Sequence, residues 1–245
     1  MIAAFESWQV ILAIVVVLAA VQSVFGVGLL VFGTPLLLLM DLQFPTVLAY
    51  LLPCSLTISA MQVISSGGLT LEPIRRQFLV FTAPAVLVTT AATLYYGSPE
   101  QIGLAVGIML LVTALLRFLG PGHRAVSSLV TRYRRSLLTG LGVVHGLSNL
   151  GGGVLTAIVG STFEDKESIR RHIAFCYGLM AGLQFTVVLL DGPVVMPVLW
   201  LTLPIAAAVV YLIVGQWLFL KATRAGYQHA LTTLLMAFGI LLVTR

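Results

Sequence analysis

Two apolar stretches, about 120 residues apart, are interrupted by glycine where a membrane helix would be expected to run on. The first is Gln22 to Pro35, with Gly26, Gly28 and Gly33. The second is His145 to Thr156, with Ser148, Asn149 and the consecutive Gly151, Gly152 and Gly153. In lipid, non-helical backbone survives only where it is buried in protein or lines a cavity. Paired interruptions in two halves of a chain point to the substrate site of a transporter.

Composition sets the solvent. Of 245 residues, 59% are hydrophobic and 9% charged, whereas a soluble domain carries about 25% charged residues. Apolar segments run near 7–41, 44–66, 77–96, 100–119, 136–161, 168–190, 194–220 and 226–244, and a span needs about 20 residues. These features predict an all-α polytopic membrane protein and exclude a membrane barrel, whose strands alternate. The net charge of +5 does not argue for nucleic acid, because the basic residues cluster between apolar segments, which is a topology signal. No Lys or Arg precedes the first apolar segment, so no cleavable signal peptide is expected. Cys54 and Cys176 lie within apolar segments and suggest no disulfide framework; burial as small hydrophobes is their expected role.

The halves read as a diverged repeat. Gly28 and Gly151 are 123 positions apart, Cys54 and Cys176 are 122 apart, as are Gln62 and Gln184, and Thr82 and Pro84 recur as Thr202 and Pro204. This divides the chain into a membrane repeat at 1–119, a basic cytoplasmic connecting loop at 120–135 and a second membrane repeat at 136–245. As one helix the first segment would be roughly 52 Å long, against a hydrocarbon core of about 30 Å, so it must protrude or fold back. Charge placement separates these options. If all eight segments cross once, basic residues fall on both sides. If the first and fifth are re-entrant, Arg75, Arg76, Arg117, Arg124, Arg132, Arg134, Arg135, Lys166, Arg170, Arg171, Lys221 and Arg224 share one side. Arg245 then joins Glu6, Asp41, Glu100 and Asp191 on the other. The positive-inside rule favours the second arrangement. It predicts two inverted repeats, each a Gly-hinged broken or re-entrant segment plus three transmembrane helices, with both termini periplasmic in a bacterial inner membrane.

The hinges supply the candidate chemistry. At Ser148 to Gly153 the break exposes the N–H groups that open the following half-helix, where the helix dipole places partial positive charge. Such an end holds carboxylate, sulfonate or sulfite oxygens without Lys or Arg, and neither residue is expected deep in a span. The alternative at Gly26 and Gly28 is close helix packing. Ser55, Ser59, Gln62 and Ser66 share one helix face, with Tyr177 and Gln184 as counterparts; they either line a wet cavity or hydrogen-bond between helices. His145, whose counterpart is Gln22, is the ionisable residue expected within the membrane. It either carries a coupled proton or stays neutral on a backbone partner. The candidate substrate-binding residues are therefore Gln22, Gly26, Gly28, Ser55, Gln62, His145, Ser148, Asn149, Gly151, Gly152, Gly153, Tyr177 and Gln184. No enzyme signature is present: His-Glu-x-x-His, Gly-x-Ser-x-Gly and Walker loops are absent. No catalytic residue, cofactor or metal is expected.

With Gly26 and Gly28 in one hinge and Gly151, Gly152 and Gly153 in the other, the chain resembles the TauE/SafE sulfite-exporter family of bacterial permeases. Leu29 and Leu30 stand where that family often continues with glycine. The resemblance spans essentially the whole chain and implies transport, usually outward, of sulfite or an organosulfonate such as sulfoacetate. An anion channel, or an importer of thiosulfate or another small anion, remains the alternative. Expected partners are the small anion, membrane lipids and a coupled proton. Oligomeric state stays open.

Overall fold

A computed structural model describes residues 2–66, 73–118, 123–163, 165–191 and 201–221, with residues 240 and 244. Among them every regular element is helical: α1 (Ile2–Phe25), α2 (Leu29–Leu39), α3 (Phe44–Ser65), α4 (Pro73–Tyr96), α5 (Pro99–Phe118), α6 (His123–Ser148), α7 (Gly152–Thr162), α8 (Lys166–Asp191), α9 (Thr202–Val210), a π-helical turn at Tyr211–Gly215, and α10 (Gln216–Lys221). Among the described residues, four helical stretches are long and apolar enough to cross a bilayer: Trp8–Phe25, Phe44–Ser65, Arg75–Tyr96 and Lys166–Asp191. The expected segment 226–244 lies outside the described residues, apart from 240 and 244.

Local chemistry sets the helix ends. Pro45 occupies the first turn of α3, where a missing N–H costs nothing. Ser98 and Gln101 bond reciprocally ahead of α5, each at 3.3 Å, forming a capping box. Asp165 Oδ1 accepts the Ser168 N–H at 2.7 Å and starts α8. Its carboxyl is held below its ordinary range by the hydrogen bonds from Ser168. Residues 123–135, expected as a connecting loop, are instead helical and open α6, with non-helical angles at Tyr133. Val130 explains this: it enters the core while its neighbours Thr131 and Arg132 stay exposed, so the segment is amphipathic rather than merely polar.

Close contacts fix the helix directions. α2 folds back along α1, since a Cβ built on Gly33 would lie 3.4 Å from Leu18 and 2.9 Å from Leu51 of α3. α1 and α3 are parallel: Trp8 meets Tyr50 near their starts, with ring centroids 5.8 Å apart, and Gln62 reaches Ser23 near their ends. α3 and α8 are antiparallel, with Ser59 against Gly178 and Leu56 against Gly182. α4 runs parallel to α8, from Arg75 at Phe175 to Tyr95 near Leu190. It also runs parallel to α6, from Thr82 at Leu138 to Thr89 at Gly142. Small residues permit these approaches. Gly215, in the π-helical turn, abuts Ser23 of α1, and the same turn brings the Tyr211 hydroxyl 2.7 Å from Ser65 Oγ. α4, α6 and α8 therefore begin at the end where α3 and α10 finish.

Candidate functional site

Both hinges follow one local plan. The first residue after each broken helix is left-handed, Gly26 at φ 73° and Asn149 at φ 63°. Their N–H groups donate to the carbonyls of Gln22 (2.8 Å) and His145 (2.7 Å). Glycine adopts this conformation freely, and Asn is the side-chain residue that best tolerates it. Two residues on, Gly28 and Gly151 precede α2 and α7, and their carbonyls accept from Phe32 and Leu155, each at 2.9 Å. A glutamine from the next long helix caps each broken end. Gln62 Nε2 donates to the carbonyls of Gln22 (3.0 Å) and Ser23 (2.9 Å), and Gln184 Nε2 to that of His145 (3.1 Å). Carbonyls that a helix end would orphan in lipid are thereby paired.

The side chains then diverge. At the first hinge Gln22 is buried and bonded within the protein. Its Nε2 donates to the Ser55 carbonyl and Oγ, both at 3.0 Å, and to Ser59 Oγ at 3.3 Å, while Ser55 Oγ lies 3.2 Å from Gln22 Oε1. At the second hinge the Gly151 N–H donates to His145 Nδ1 at 3.2 Å. An imidazole that accepts there is neutral and carries its proton on Nε2. The Gln184 side chain lies within reach of this imidazole, and Asn149 Oδ1 has no partner among the described residues. Ser148 donates to its own helix at Val144 (2.7 Å).

The hinge tips lie side by side. A Cβ on Gly152 would stand 2.7 Å from Val31 and 3.3 Å from Val27, both beside the first break, and 3.1 Å from the Tyr177 ring. Asn149 Nδ2 donates to Thr34 Oγ1 of α2 at 2.8 Å, a contact with no sequence signal because Thr34 sits in an apolar run. Tyr177 also meets His145 edge-on, centroids 5.9 Å apart. The backbone amides of Gly152 and Gly153, in the first turn of α7, precede any intrahelical acceptor. Gln22, Ser55, Gln62, His145, Ser148, Asn149, Tyr177 and Gln184 are all fully shielded from solvent. The structure thus brings the two hinges and both polar stripes together in a closed core; Ser66 lies outside it, bonded to the Gln62 carbonyl at 2.7 Å.

Two arginines of the basic side are buried. Arg75 is 0% and Arg170 4% exposed, with guanidinium carbons 4.9 Å from the Phe175 centroid and 3.5 Å from that of Phe219. Cation–π contact offsets part of the desolvation that this placement costs. The Arg170 carbonyl lies 3.5 Å from where a Gly26 Cβ would stand, so the basic end of the bundle reaches the first hinge tip.

No curated protein and no solved structure matches the chain. A family model described as Sulfite exporter TauE/SafE matches residues 11–242. With that match across nearly the whole of a multi-pass helical chain, the protein belongs to the TauE/SafE sulfite-exporter family of membrane transporters.

Proposed function

We propose that the chain is a secondary carrier of small anions in a bacterial inner membrane, exporting sulfite or an organosulfonate such as sulfoacetate. The observation that carries this reading is the side-by-side placement of two glycine-hinged half-helices, whose N-terminal amides suit an oxyanion, inside a member of a transporter family. Family membership supports the substrate class.

Inverted repeats fit this reading. The hinge geometry recurs at a spacing of 123 positions, and α3 and α8, counterparts at 122, run antiparallel. Complete burial of the hinges favours alternating access over an open channel, because an anion reaches them only if the hairpins part. The contacts that must part are Gly152 on Val31 and Asn149 on Thr34. Proton transfer through His145 would first have to break its bond from Gly151, so the neutral form is its resting state.

The test is sulfite and sulfoacetate flux in proteoliposomes of the purified protein. Saturable flux that counter-flow of the same anion accelerates is expected. Flux linear in concentration would replace the carrier with a channel, and no flux for any sulfur oxyanion would sink the reading.

A further inference from the structure

α9, the π-helical turn and α10 form one run of helix from Thr202 to Lys221, and its grip on the bundle changes along its length. Leu203 and Ala207 of α9 are fully buried. From Tyr211 on, three residues reach the bundle, each at a different helix. The Tyr211 hydroxyl lies 2.7 Å from Ser65 Oγ of α3. Gly215 lies against Ser23 of α1, where an added Cβ would stand 2.5 Å from the serine Cβ. Phe219 stacks on the Arg170 guanidinium of α8 at 3.5 Å, with Lys166 Nζ at 4.8 Å. Leu212, Ile213 and Trp217 are exposed, so one face alone holds this stretch. In an uninterrupted α-helix, positions eight apart point about 80° away from each other. The wider π-helical turn between Tyr211 and Phe219 offsets that rotation, which lets both side chains face the bundle.

Two of these contacts lead straight to the first hinge. Ser65 Oγ donates to the Gln62 carbonyl at 3.1 Å, so the Tyr211 hydroxyl is the donor to Ser65. Gln62 in turn caps the broken end at Gln22 and Ser23. On the other side, the Arg170 carbonyl oxygen and Ile173 Cγ2 lie 3.5 and 2.8 Å from where a Gly26 Cβ would stand. Phe219 therefore clamps the turn of α8 that covers the hinge tip. We propose that the π-helical turn and α10 are the gate at the basic end of the bundle, pinning the start of α8 over Gly26 when closed. This rests on the alternating-access reading and adds to it the contacts that break on that side. Opening converts the π-helical turn to α-helix. The rotation returns, Phe219 swings off Arg170, Tyr211 releases Ser65, and the start of α8 is free to leave Gly26. The close contact of Gly215 with Ser23 is the pivot. A single π-helical turn inside an α-helix suits this role, since such turns are rare and gather at functional sites.

The experiment tethers Ser65→Cys to Tyr211→Cys with a bis-maleimide, whose thioethers resist sulfite, in proteoliposomes of the full chain. Tethering is expected to abolish sulfite flux, whereas the same reagent on either single variant, which joins nothing, is expected to spare it. Hydrogen exchange supplies a second arm that needs neither cysteine nor flux. Tyr211→Phe keeps the ring, leaves Ser65 its bond to Gln62 and removes one hydrogen bond. Exchange is expected to quicken about fivefold in α10 and in the first two turns of α8 together, with α9 unchanged. Undiminished flux through fully tethered protein overturns the gate and leaves the carrier standing. Exchange in Tyr211→Phe that matches the wild type in α8 also overturns it. Absence of flux for any sulfur oxyanion in the untreated wild-type protein removes the carrier reading and the gate with it.

Discussion

Gly152 and Gly160 sit eight residues apart in and around the same short helix, yet a side chain would meet different surroundings at each. A Cβ at Gly152 would press on Val31 and Tyr177 at 2.7 and 3.1 Å, whereas Gly160 has nothing within 4 Å. Leucine at 152 must therefore push the hairpins apart and cover the α7 amides, at a cost of about 1–3 kcal/mol from overpacking. Gly152→Leu is expected to abolish flux in proteoliposomes and lower the melting temperature. Gly160→Ala is expected to preserve flux and to stabilise by about 0.5–1 kcal/mol through helix propensity. Wild-type flux in Gly152→Leu would reduce the hinge to a packing feature. His145 gives a second test at this scale. Its neutral ring is bonded by Gly151, with the titratable Tyr177 beside it. If the substrate carries the proton, sulfite transport rises as pH falls and hydrogensulfite forms, and that dependence survives in His145→Gln. A pH-independent variant would instead make the imidazole the titrating group.

Asn149 and Thr34 join the second break to α2, the helix beyond the first break, so their contact reports whether the hairpins behave as one unit. Thr34→Val leaves the Asn149 amide buried without its acceptor, which costs about 1–3 kcal/mol. Asn149→Gly removes both the amide and its need for a partner. The double variant is therefore expected to be no less stable than Thr34→Val alone, a clear departure from additivity that thermal melts of the four proteins would reveal. Additive losses would mean that the contact does not couple the elements. The positions of the breaks are legible in sequence because few residues other than Gly and Asn accept the left-handed backbone that Gly26 and Asn149 adopt. The glutamine caps are legible too, since Gln62 and Gln184 recur at the same spacing. What spacing conceals is which polar atoms the protein satisfies itself. Gln22 and Ser55 are separated by 33 positions and meet only when α1 packs alongside α3. Burial of Arg75 and Arg170 was concealed likewise, because it depends on Phe175 and Phe219 arriving from other helices. The helical start of α6 was masked by its charge, as Val130 enters the core from among many polar residues.

Following the chain through the bundle turns these local features into a charge separation. α2 returns toward the end where α1 began, so α3 starts beside the origin of α1. The starts of α4, α6 and α8 and the finish of α10 then gather Arg75, Arg132, Arg135, Lys166, Arg170 and Lys221 at the opposite end. Asp41, Glu100 and Asp191 remain with the start of α1. Moving so many cationic groups across a bilayer is unfavourable during insertion, and short basic segments stay cytoplasmic. The basic end is therefore expected to face the cytoplasm, with Met1 in the periplasm. A reporter that matures only in the periplasm should be active when fused to the N-terminus and inactive when inserted near Ser127, between the clusters around Arg124 and Arg132. Because an even number of crossings returns the chain to its starting side, two three-span repeats would also put the C-terminus in the periplasm, which the same reporter fused there would check. Activity of a cytoplasm-only reporter at Met1 would show that the first segment crosses the membrane instead of folding back. The hinges would then lose their meeting point at the centre of the bundle, and with it the shared anion site.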